Sequence, residues 1–96
     1  MAIADKVADL RRRPAAFRCT EIRALLEGLG FKVRDCSSAG HKVFSHPELY
    51  KHGFHGSDFN CGHNKKLFVK PAYVRKIANI LEEFEAQLDR IAERNI

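Results

Sequence analysis

From Pro71 onward, apolar residues recur at a helical period: Val74, Ile77, Leu81, Phe84, Leu88 and Ile91 step by alternating threes and fours. Side chains three and four apart share one side of a helix, so this run predicts a helix with a single continuous apolar stripe. Pro71 suits its first turn, where a missing N–H costs nothing. The stripe covers more than two heptads, too short to demand a coiled coil. Most of it must therefore face a core, and that core needs other elements to complete it.

Those elements are legible upstream. Ile3, Val7 and Leu10 mark one face of a short helix over 2–13, with Arg11, Arg12 and Arg13 in its last turn and Pro14 beyond as a stop. Ile22, Leu25, Leu26 and Leu29 mark a second helix, with Thr20 as its expected cap, Glu21 in its first turn and Gly30 just past its end. The middle reads as β-structure. Residues 31–35 alternate Phe31 and Val33 with Lys32 and Arg34, 41–46 form a second strand ended by Pro47, and 57–61 form a weaker third. Residues 47–57 read as a loop. The order α-α-β-β-β-α predicts an α+β fold, a three-stranded antiparallel sheet with helices packed on one face. The last turns of the long stripe reach past such a sheet, toward the N-terminal helix or toward a homodimer contact through the C-terminal helix.

With 96 residues the chain is expected to form one domain, since a chain this short hides only about 60–70 % of its unfolded surface. Within it, 1–14 is an N-terminal helical extension, 20–83 the core and 84–96 an extended C-terminal helix. Charge is unevenly spread: residues 1–81 hold 15 Lys and Arg against 7 Asp and Glu, whereas 82–96 hold 2 against 5. A basic body favours polyanions, because neutralising phosphates releases condensed counterions. Cys19, Cys36 and Cys61 are an odd number at wide spacing, unlike a disulfide framework, and Cys61 alternates with Phe59 as a small core residue would. No apolar leader or spanning stretch is present, so a cytoplasmic chain with no membrane partner is expected.

Three segments resemble a known family. Glu21-Ile22-Arg23-Ala24-Leu25-Leu26 followed by Leu29-Gly30-Phe31 is similar to the opening of HicA-type toxins. His41-Lys42-Val43-Phe44-Ser45-His46-Pro47 resembles their Gly-Ser-His strand, and Lys70-Pro71-Ala72-Tyr73-Val74-Arg75-Lys76-Ile77 resembles the start of their last helix. Order and spacing are kept over roughly residues 7–83. The resemblance implies a fold like a double-stranded-RNA-binding domain. It also implies the toxin of a type II toxin–antitoxin system, an mRNA interferase held in check by a HicB-type antitoxin, with mRNA as substrate. Ala39-Gly40 stands where the family has Gly-Ser.

The family's functional histidine falls on His41, which opens a strand after a glycine turn. RNA can be cut without metal when a base takes its 2′-hydroxyl proton, and histidine suits that step because its unperturbed pKa is near 6.5. His46 and His63 are candidate second proton carriers. Lys32, Arg34, Lys42, Lys65, Lys66 and Lys70 are candidate phosphate contacts. His46, His52, His55, Cys61 and His63 offer zinc-compatible atoms, but their spacing matches no familiar ligand pattern, so neither metal nor other cofactor is expected. The expected function is a metal-independent endoribonuclease. The competing reading is a non-catalytic RNA-binding or protein-interaction module on the same fold.

Overall fold

The computed structural model describes residues 2–36, 40–61 and 68–94. Helix α1 (Ile3–Arg12) buries Ile3, Val7 and Leu10, the three residues of its predicted stripe. It packs on the last helix pair, and the Arg11 guanidinium reaches Asn79 Oδ1 at 3.0 Å and Glu82 Oε1 at 2.9 Å. Helix α2 (Cys19–Gly28) buries Ile22 and Leu26.

The start of α2 differs from the sequence expectation. Arg18, not Thr20, occupies the cap position, and the Arg18 N–H donates to the Glu21 carboxylate at 2.9 Å. The cause is tertiary. Arg18 bridges to Phe68, and the Val69 N–H donates to Phe17 O at 2.8 Å, so backbone pairing fixes where the helix begins. At the other end Gly30 turns the chain with φ +92°, and the Phe31 N–H donates back to Leu26 O.

Strands β1 (Lys32–Asp35), β2 (His41–Ser45) and β3 (Ser57–Asn60) form an antiparallel meander in the order β1-β2-β3. Val33 opposes Phe44, and Lys42 opposes Phe59. Residues directly opposed share a face, so Val33, Phe44 and Phe59 make the apolar side of the sheet. They join Ile22, Leu26, Val74, Ile77 and Leu81 in one buried cluster. Burying the side chains of this cluster stabilises the fold by roughly 1.5–3 kcal/mol each.

The loop expected over 47–57 contains a short 3-10 turn, Leu49–His52, that sets Leu49 into the core. Phe54, just beyond, packs edge-on against Phe31 and Phe84.

The stripe after Pro71 is buried from Val74 to Leu88, with Ile91 only partly so, but not in one straight helix. Helix α3 (Pro71–Glu83) ends at Phe84, where φ −106° and ψ 21° bend the axis, and helix α4 (Glu85–Arg94) follows. Phe84 N–H to Ile80 O and Leu88 N–H to Phe84 O carry the hydrogen-bond ladder across the bend. The bend sets α4 against α1, where Asp89 Oδ1 accepts from the Ile3 N–H at 3.1 Å. The fold of the described residues is therefore α+β, with a three-stranded antiparallel sheet and four helices. Among the described residues, no helix is long and apolar enough to cross a membrane.

Candidate active site on the open sheet face

Strand alternation divides the candidate residues between two faces. Opposite the apolar side, the register aligns Arg34, Val43 and Asp58 in one row and His41 with Asn60 in the next, with Lys32 opposite Ser45 at the far end. Lys32, Arg34 and His41 therefore share the open face. Lys32 and Arg34 are exposed, and His41 is partly so.

His41 opens β2 after Gly40, whose φ of +79° is a conformation that glycine adopts without a Cβ penalty. Its Nε2 lies 2.8 Å from Asp58 Oδ2. The two residues are diagonal neighbours across β2 and β3, a separation that an imidazole and a short carboxylate can span. The second oxygen, Asp58 Oδ1, accepts from Lys76 Nζ at 2.5 Å, and that ammonium also lies 4.9 Å from the centre of the Tyr73 ring. α3 thus reaches round the β3 edge to hold the carboxylate that holds the histidine. The Lys76 and His41 hydrogen bonds keep the Asp58 carboxyl below the usual carboxylate range, against the partial burial that would raise it.

The arrangement has a defined chemical consequence. An ionised Asp58 can only accept, so neutral His41 donates from Nε2 and carries its lone pair on Nδ1. An imidazole held this way can accept a proton at Nδ1, and the carboxylate beside it would stabilise the resulting imidazolium.

Other sequence candidates stand apart. Lys42 lies on the opposite face, its side chain only 17 % exposed, with Nζ 2.6 Å from Asp35 Oδ1. Its charge is spent on that carboxylate. His46 is 3 % exposed. Its Nε2–H donates to Leu29 O at 3.1 Å, and its Nδ1 accepts from the Glu48 N–H at 3.2 Å. With both ring nitrogens held by backbone, His46 is a structural residue, remote from His41 by face and by strand end. Lys70 is exposed and immediately precedes α3. His63, Lys65 and Lys66 lie outside the described residues. Among the described residues no three His, Cys, Asp or Glu side chains converge as a metal ion would require.

Asp58 and Lys76 were not among the sequence candidates. Asp58 reads as the polar partner of Phe59 in a weak strand, and only the pairing of β3 with β2 brings it to His41. The cysteines also differ from expectation. Cys19 and Cys61 form a disulfide with Cα atoms 5.4 Å apart, although 42 residues separate them. Wide spacing concealed a pair that the fold closes by bringing the end of β3 beside the start of α2.

No family model, curated protein or solved structure matches this chain.

Proposed function

We propose that this chain is a HicA-like toxin with a double-stranded-RNA-binding-type fold, acting in the cytoplasm as a metal-independent endoribonuclease on mRNA. The single observation that carries this reading is the 2.8 Å bond between His41 Nε2 and Asp58 on an open face that also holds Lys32 and Arg34. In the proposed reaction, His41 Nδ1 removes the proton of a ribose 2′-hydroxyl. The freed 2′-oxygen attacks the adjacent phosphorus, the P–O5′ bond breaks, and the leaving 5′-oxygen takes a proton from water. A 2′,3′-cyclic phosphate and a 5′-hydroxyl result. Lys32 and Arg34 hold the flanking phosphates, and Asp58 keeps the imidazole in its tautomer. Such a fold reads shape, 2′-hydroxyls and phosphates, which implies weak sequence preference. A HicB-type antitoxin would silence the site by covering the His41 face.

The experiment is end-group analysis of RNA incubated with the purified protein. Fragments ending in 2′,3′-cyclic phosphate support this chemistry, and 3′-hydroxyl ends would rule out the 2′-hydroxyl as nucleophile.

One observation favours a second reading. Lys76, Asp58 and His41 also form a chain of side-chain hydrogen bonds that fastens the β3 edge to α3. In a non-catalytic RNA-binding module that would be their whole role, and RNA would be bound and left intact.

A further inference from the structure

All three cysteines gather at the end of the sheet where β2 begins. Two of them hold that end by their backbone: Cys36 N–H donates to His41 O at 2.9 Å, and Cys61 N–H donates to Gly40 O at 2.7 Å. Cys61 is bonded in turn to Cys19, the first residue of α2. The strand entry that carries His41 is thus fixed on its β3 side by a residue that is itself covalently tied to a helix. Asp58 lies on β3, three residues before Cys61, which is the first residue after that strand.

We propose that the Cys19–Cys61 disulfide is a redox-operated tie on the His41 site. Oxidised, it holds the end of β3 beside α2 and keeps the Cys61–Gly40 rung closed, with Asp58 in reach of His41. Reduced, it releases that end, the rung opens, and the His41–Asp58 bond loses its fixed geometry.

The reductant is a low-molecular-weight thiol of the glutathione class. Its thiolate attacks Cys19 Sγ, since Cys19 is the more exposed residue of the pair and Cys61 is only 8 % exposed. The S–S bond breaks and Cys61 leaves as a thiolate that takes a proton. A second thiol then displaces Cys19 from the mixed disulfide. The net change is two protein thiols formed and two small thiols oxidised to one disulfide. Disulfides persist in oxidising compartments and exchange in reducing ones, so the surrounding thiol pool sets the state of the tie.

On this proposal the body of the fold is held by its apolar core rather than by this bond. Ile22, Leu26, Phe44, Phe59, Ile77 and Leu81 are all essentially inaccessible to solvent and belong to one buried cluster. Reduction therefore loosens one strand end rather than the molecule. The consequence for RNA cleavage rests on the function proposed above; the structural switch does not.

The test uses the full chain with Cys36→Ser, which removes the third thiol and with it disulfide scrambling. Amide hydrogen exchange is followed with and without dithiothreitol, beside a Cys19→Ser variant that cannot close the bond. The expected result is exchange at position 36 and at Cys61 faster by tenfold or more on reduction, with the amides of α3 unchanged. The Cys19→Ser protein should match the reduced pattern whatever the reagent. Equal exchange in both states would overturn the proposal. So would loss of protection throughout α3, which would make the bond a plain structural staple, or an oxidised protein whose mass shows no disulfide. RNA cleavage is measured in parallel and should be slower when reduced. If neither state cuts RNA, the functional reading fails while the exchange result still decides the switch.

Discussion

His41 and Asp58 meet because alternation puts both on the open side of the sheet, and one 2.8 Å bond decides which ring nitrogen carries the lone pair. Asp58→Asn tests this directly. An amide can present an N–H to the ring and reverse the tautomer, so cleavage should fall roughly 10- to 1,000-fold with the fold retained. Single-turnover cleavage beside circular dichroism checks both halves. The same substitution has a signature in acid. Lys76 and His41 lower the Asp58 pKa in the folded state, so its contribution to stability is present above the ordinary Asp value of about 3.9. It is lost as pH falls through the lowered folded value. Asp58→Asn should therefore flatten the fall in stability on acidification below about pH 5. Urea unfolding across that range reads the slope. Gly30 is a second sensitive position. Its φ of +92° disfavours any side chain, and a Cβ there would fall 2.9 Å from His46 Nε2. Gly30→Ala should cost about 1–3 kcal/mol in equilibrium unfolding. A cost under 0.5 kcal/mol would mean that the α2–β1 turn relaxes freely.

At the scale of elements, the periodic stripes were legible because burial repeats with the helix and with the pleat. Ile3, Val7 and Leu10 in α1, and Val74, Ile77, Leu81, Phe84 and Leu88 after Pro71, are buried as their spacing predicted. What escaped sequence reading depended on contacts between distant segments. Thr20 lost the cap of α2 to Arg18 because the Phe17–Val69 pairing starts the helix earlier. The stripe bends at Phe84, and beyond the bend α4 meets α1 through the bond from the Ile3 N–H to Asp89. On β2 the adjacent apolar pair Val43 and Phe44 left the inward face ambiguous. Phe44 turns inward, which carries Lys42 and His46 away from the open face and leaves His41 on it. Asp58 gave no local signal, since its value lies in the register of a strand seventeen residues away from His41. The bend at Phe84 also yields a prediction. Leu88 is 2 % exposed inside a single chain, so Leu88→Asp buries an unpaired charge and should destabilise by about 3 kcal/mol or more. Denaturant unfolding should show that loss at every protein concentration. A loss confined to high concentration would instead assign Leu88 to a contact between copies.

For the whole molecule, the basic excess is concentrated in the body and the acidic residues gather toward α4. Polyanion binding should then be strongly salt-dependent. If Lys32 and Arg34 each neutralise one phosphate, replacing both with alanine should reduce the slope of log K against log salt by about 1.5. Lys42→Ala should leave the slope unchanged, because Lys42 is already paired with Asp35. Fluorescence anisotropy with a short RNA from 50 to 300 mM salt distinguishes these outcomes.

In the proposed function His41 performs proton chemistry on RNA without a metal. The most direct test of that function is RNA cleavage by the purified parent and by His41→Ala, both in EDTA. Cleavage by the parent, reduced about 100-fold or more in His41→Ala while RNA binding persists, is the expected outcome. Equal cleavage by both proteins, or binding without cleavage by a folded parent, would contradict it.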